Sequence, residues 1–214
     1  LQANTVFGAW NADRFDDLAE LVSSLGVVFW EIFLLVPTGR GSELQGCSAE
    51  QVEHLFAKIH AFSQKANFIV KITEGQHYRR YVAQHKKSSA ARKRNPAKPD
   101  FFSVKAVHAG NGFCFVDHTG EVYPSGFLPI ACGNVRDVSI IDTYRNHPTF
   151  RDLKNPDLLE GRCAECAYKD VCGGGSRARA YAMTGNLFAD DPACVYRKGA
   201  VADQRTRKLI GPAA

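Results

Sequence analysis

The sequence of 214 residues contains seven cysteines, and four of them stand close together near its end. Cys163, Cys166, Cys172 and Cys194 form the pattern C-x2-C-x5-C-x21-C. Two thiolates at C-x2-C reach one metal centre from a single turn of chain, and two later thiolates close the shell. By ligand count such a set suits zinc or an iron–sulfur cluster, and spacing does not separate them. An odd number of cysteines crowded toward one end argues against a secreted disulfide scaffold. Gly173, Gly174 and Gly175 follow the third cysteine directly. Glycines let backbone amides approach cluster sulfides closely. A helix expected from Ser176 to Met183 carries Arg177 and Arg179, candidates for gripping a substrate carboxylate. Pairing with Asp190, Asp191 or Glu165 is the competing reading.

The elements that must position these residues fall into two styles. In residues 1–84, strand-like and helix-like segments alternate. Leu1–Gly8 reads as a strand, and Arg14–Leu25 has apolar residues at helical spacing. Val27–Val36 is almost continuously apolar, as expected of a strand buried on both faces. Ser48 caps a helix with Val52, Leu55, Ile59 and Phe62 on one face. Asn67–Thr73 is a third strand and His77–Ala83 a third helix. This βαβαβα order predicts an α/β fold with a parallel sheet, reading as half of a barrel or of a larger sheet. Strand alternation puts Lys71 and Thr73 on one face of the third strand. With Glu31 on the middle strand and Asn4 on the first, they are the polar groups expected to face the lumen and bind a cofactor or substrate. The Thr38–Gly41 loop follows a strand's C-terminal end, where barrel enzymes build their sites. Trp10 and Trp30 read as packing residues.

Residues 85–100 hold six Lys/Arg and one Asp, which accounts for the whole formal charge of +5. The excess is one linker-like stretch and not a basic face, so nucleic acid is an unlikely partner. Beyond it the pattern changes: Gly112–Val116 and Glu121–Tyr123 read as a hairpin, followed by short helices and loops around the cysteines. No apolar run reaches the length of a bilayer span, and no leader is expected, which points to a cytoplasmic protein.

Taken together, Cys163-x2-Cys166-x5-Cys172-Gly-Gly-Gly-Ser-Arg-Ala-Arg-Ala-Tyr-Ala, Gly185 and Asp191-Pro192-Ala193-Cys194 resemble the SPASM domain of radical S-adenosylmethionine (SAM) proteins. The stretch Gly120-Glu-Val-Tyr-Pro-Ser-Gly-Phe-Leu-Pro, followed by Gly133-Asn134-Val135-Arg136, shares the resemblance. It is similar to the haem-biosynthesis branch, which acts on sirohaem-derived tetrapyrroles. Asn4-Thr5 and Val36-Pro37-Thr38-Gly39-Arg40-Gly41 are similar to the later half of the radical SAM partial barrel.

The resemblance implies a C-terminal half of a partial (β/α)6 barrel in 1–84, a basic linker in 85–100, a cysteine-rich iron–sulfur domain in 101–197 and a tail in 198–214. It also implies one auxiliary 4Fe–4S cluster on Cys163, Cys166, Cys172 and Cys194. The further cysteines that a two-cluster SPASM domain would use are Ser125 and Ser176 here. Cys114 is left of that second set, and Cys132 is off-register. The C-x3-C-x2-C motif that holds the catalytic cluster and SAM is not in this sequence. The implied function is therefore that of an oxidoreductase whose other barrel half is needed, these residues alone being inactive. The implied substrate is a haem-precursor tetrapyrrole, altered by radical hydrogen abstraction, with ferredoxin or flavodoxin as electron donor. A radical SAM peptide maturase is the near alternative. A zinc-binding structural module is the rival from a different class.

Overall fold

The computed structural model describes residues 1–85 and 107–198. The basic run beyond His85 and the tail beyond Lys198 lie outside the described residues. The first region has the expected alternation. Strand β1 (Gln2–Phe7), helix α1 (Phe15–Ser24), strand β2 (Phe29–Leu34), helix α2 (Ala49–Lys65), strand β3 (Ile69–Thr73) and helix α3 (Tyr78–His85) follow one another. The strands form one parallel sheet in the order β1-β2-β3, with Asn4 beside Glu31 and Glu31 beside Lys71. Helix α2 starts where the sequence placed it: Ser48 accepts from the Gln51 N–H at 3.2 Å, and the Gln51 side chain returns the bond to Ser48 at 2.8 Å. Such reciprocal caps satisfy two N–H groups that have no partner within the helix.

The alternation of side chains decides which face the helices cover. Trp30, Ile32 and Leu34 of β2 are buried, whereas Phe29, Glu31 and Phe33 are only partly so. The expectation that this strand is buried on both faces is thus corrected. Among the described residues, helices α1 and α2 cover one face, and the other face carries Glu31. On the covered face Trp30 stacks on Phe15 at 5.6 Å and meets Phe62 edge-on at 5.6 Å. Its indole N–H donates to Thr5 Oγ1 at 2.9 Å, which gives the buried donor its partner. Trp10 is a second correction, because it is 51% exposed and lies over Gly8.

The second region holds little regular structure. A two-residue-per-strand hairpin, β4 (Phe115–Val116) with β5 (Val122–Tyr123), is followed by helices α4 (Ile140–Asn146), α5 (Pro148–Leu153), α6 (Gly161–Ala164), α7 (Lys169–Cys172) and α8 (Arg177–Thr184). Asp117 closes the hairpin turn by accepting from the Thr119 N–H at 2.8 Å and the Glu121 N–H at 3.0 Å. Its apolar clusters are small: Val122, Cys132 and Phe150 form one, with Cys114 packed against it. Ser125 is buried there and accepts from the Phe127 N–H at 3.2 Å. A further cluster joins Val36, just past β2, to Ala109, Leu128, Leu153 and Ala178. Helix α3 also packs on α7, so the two regions share an interface.

Candidate metal centre

Four short pieces of chain bring the cysteines together. Helix α6 carries Cys163, the following turn Cys166, the end of α7 Cys172, and the loop after Asp191 carries Cys194. Helix α7 ends in Gly173 at φ 68°, and Gly174 and Gly175 continue in the same left-handed region. Only glycine takes these angles without strain, and a side chain at Gly175 would also collide with the Asp191 carboxylate. The turn aims the Gly175 N–H at Cys172 Sγ, 3.2 Å away, and the Tyr168 N–H lies 3.4 Å from Cys166 Sγ.

Cys163, Cys166, Cys172 and Cys194 line one concavity, together with His77, Arg80, Lys169, Gly174, Gly175 and Tyr196. Among the described residues, no group of three or more His, Cys, Asp or Glu side chains converges on a single-ion position. Burial pushes the thiols of Cys163 and Cys172 up to about 12 and raises that of Cys194. Buried thiols of this kind ionise when a metal replaces the proton. The donor set, with backbone N–H groups already directed at two sulfurs, fits an iron–sulfur cluster.

The loop bearing Cys194 is fixed by a buried ionic network. Asp191 is fully buried and accepts from both Ser176 N–H at 2.8 Å and Ala193 N–H at 3.0 Å. It also pairs with Arg179 Nη1, at 3.1 and 3.0 Å to its two oxygens. Burial alone would raise Asp191; Arg179, His77 and the two N–H groups outweigh it and hold the carboxyl below the usual range. His77 donates Nε2–H to the Ala193 carbonyl at 3.1 Å, which leaves Nδ1 unprotonated in the neutral ring. Burial brings His77 down to about 4.

Arg179 further donates to the Glu74 carbonyl at 2.6 Å and the Leu35 carbonyl at 3.2 Å, tying α8 to the ends of β2 and β3. Arg177 donates to the Leu187 and Ala189 carbonyls, each at 2.8 Å, and to the Gly174 carbonyl. Both arginines are buried and bonded to the protein's own oxygens, and for Arg179 these include Asp191, the partner that the competing reading named. Ser176, at the position of an expected cysteine, caps α8 and donates to the Glu74 carboxyl. Burial raises Glu74 toward its neutral form, and its φ of 57° is a left-handed conformation unusual for a residue with a side chain.

Glu74 and Arg80 were missed by motif reading. The available signal was the polar run Glu74–Arg80 directly after an apolar strand, where parallel sheets place their functional groups.

A second polar group lies on the uncovered face of the sheet. Lys71 Nζ is 2.8 Å from Glu31 Oε1, and Thr73 Oγ1 donates to the same oxygen at 2.6 Å. Gln2 bridges Asn4 Oδ1 at 2.7 Å and Glu31 Oε2 at 3.3 Å. The structure thus gathers Asn4, Glu31, Lys71 and Thr73 into one connected patch, although Glu31 and Lys71 are 40 residues apart along the chain. Burial would raise Glu31, but the bonds from Lys71, Thr73 and Gln2 outweigh it and keep the carboxyl below its ordinary value.

No family model matches the chain. Among curated proteins it is 38% identical over 212 residues to the AdoMet-dependent heme synthase of Oleidesulfovibrio alaskensis, covering 95% of this chain and 53% of the relative. The AdoMet-dependent heme synthase of Methanosarcina barkeri is 35% identical, covering 92% of this chain and 56% of the relative. The mycofactocin maturase MftC of Mycobacterium ulcerans is 29% identical, covering 94% and 52%. The chain thus spans about half the length of the curated relatives it matches. Among solved structures, native anSMEcpe with bound AdoMet and Cp18Cys peptide superposes with a TM-score of 0.53 at 14% identity, covering 89% of this chain and 52% of that chain. These likenesses bear out the resemblance to radical SAM/SPASM proteins of the haem branch.

Proposed function

We propose that this chain is the auxiliary-cluster part of a radical SAM enzyme acting on a haem-precursor tetrapyrrole. The observation that carries the reading is the gathering of Cys163, Cys166, Cys172 and Cys194 around one concavity, with backbone N–H groups directed at the Cys172 and Cys166 sulfurs. Those four residues would hold one 4Fe–4S cluster, which when bound supplies one-electron transfer. The replacement of two expected cysteines by Ser125 and Ser176 supports a single auxiliary cluster. Ser176 is fully buried, caps α8 and is bonded to Glu74, a role in scaffold and not in metal binding. Residues 1–84 and 101–197 are the two working parts, joined by the basic linker 85–100.

The patch of Asn4, Glu31, Lys71 and Thr73 is the proposed binding face for SAM or substrate. Lys71 offers a cation that is 47% exposed, and Glu31 a carboxylate fixed in place by three donors. A charged pair presented together on an open sheet face suits a ligand carrying both an amine and carboxylates. Generation of the radical belongs to residues beyond these 214, since the C-x3-C-x2-C motif is not among them. A ferredoxin or flavodoxin would supply the electron. The tetrapyrrole ranks above a peptide substrate because the heme synthases, at 35–38% identity, are nearer than the peptide-side relative at 29%.

The test is anaerobic reconstitution with iron and sulfide, then metal analysis and EPR of the dithionite-reduced chain. About four irons per chain are expected from the cluster type, with a signal lost in Cys166→Ala. One tightly held zinc and no cluster, in protein never exposed to oxygen, would sink the reading.

A further inference from the structure

Among the described residues, four buried side-chain atoms have no hydrogen-bond partner: Gln76 Oε1, His77 Nδ1, Arg80 Nε and Arg177 Nε. Two of these residues, His77 and Arg80, line the cavity of the four cysteines. His77 Nδ1 is the unprotonated side of a ring whose N–H is already donated, so it offers no proton. Arg177 belongs to a neighbouring concavity with His108 and Asn111. Arg80 Nε–H is therefore the one unpartnered donor on a residue that lines the thiol cavity.

Arg80 is only 3% exposed, and its orientation is fixed from behind. Glu53 of α2 takes both terminal nitrogens end-on, at 2.7 and 2.5 Å, and Gln84 accepts from Nη1 at 2.7 Å. That clamp engages three of the five guanidinium N–H groups, and Nε is the nitrogen of Arg80 left with no partner. A buried donor without an acceptor is unfavourable, so an unpaired one points to a partner that binds there.

We infer that Arg80 Nε–H donates a hydrogen bond to a sulfur of the iron–sulfur centre held by the four cysteines. The α/β region thereby places a cation against a cluster ligated wholly by the cysteine-rich region. A donor and positive charge beside a cluster favour its reduced, more negative form and raise its potential. This inference rests on the cluster reading proposed above.

Its test uses the reconstituted full chain with arginine labelled by ¹⁵N, examined by pulsed EPR in the reduced state. A weak hyperfine coupling to an arginine nitrogen, lost in Arg80→Lys, is the expected result. The midpoint of Arg80→Lys should fall by about a tenfold change in the reduction equilibrium, about 59 mV for one electron. A normal cluster with no arginine coupling and an unmoved midpoint overturns the inference and leaves the function standing. No cluster at all overturns both. Should Arg80→Lys fail to fold, labelled wild-type protein alone decides, because the coupling is read without the variant.

Discussion

The two halves of this molecule are held together by different physics. In residues 1–85 a single cluster of buried apolar side chains, built around Phe7, Phe15, Trp30, Leu55 and Phe56, joins three parallel strands to their helices. In residues 107–198 the apolar clusters are small, the strands are two residues long, and the fully buried groups include Ser176 and Asp191. The first region follows from area removed from water; the second from satisfied buried polar groups, glycine turns and the thiols. A region built this way is specified by a few residues, and each is correspondingly sensitive.

The sharpest way to break the comparison is to remove one charge. Asp191→Ala would leave Arg179 buried without its partner and two N–H groups unbonded, at a cost of about 3–5 kcal/mol. Truncating the largest apolar side chain, Trp30→Ala, should cost about as much, about 3–5 kcal/mol, in the other region. Chemical denaturation of both variants measures this. A loss below about 1 kcal/mol for Asp191→Ala would mean that the cysteine-rich region does not depend on its polar network.

A pH titration sharpens the contrast at slightly smaller magnitude. His108 is buried, donates Nδ1–H to the Ala109 carbonyl and accepts from Asn111 at Nε2, a pattern only the neutral ring can make. Burial brings it from 6.5 down to about 4. A depressed folded value means that the stabilisation is complete above pH 6.5 and is lost as pH falls toward 4, to a total of about 3 kcal/mol. His77 titrates in the same window and should add to the slope. In His108→Gln the stability should fall less steeply between those pH values; an unchanged slope would remove His108 from the account.

The smallest expected effect lies on the apolar side. Ser48→Ala removes the α2 cap and should cost about 1 kcal/mol, read as a lower midpoint of thermal unfolding. A loss several times larger would mean that even the α/β region hangs on single polar contacts.

Legibility in the sequence followed the same division. The strands, helices and Ser48 cap of the first region were readable because period and capping are local signals. The four cysteines were readable because thiols at that spacing have few other uses. Asn4, Glu31, Lys71 and Thr73 could be named from strand alternation, but their meeting in one patch required the parallel register. The contacts of Arg177 and Arg179 were hidden for a related reason. Their partners are largely backbone carbonyls of Gly174, Leu187, Ala189, Leu35 and Glu74, which carry no mark in a sequence.

By itself, then, the sequence determined the α/β alternation, the hairpin and the identity of the candidate metal ligands, all of which rest on residue type and short-range spacing. The tertiary structure decided which face of the sheet stays open, that both arginines are internal, and that Arg80 stands at the thiol cavity. Those outcomes depend on contacts between residues some 30 to more than 100 positions apart, such as Arg80 with Glu53 and Ser176 with Glu74, and local pattern holds no information about them.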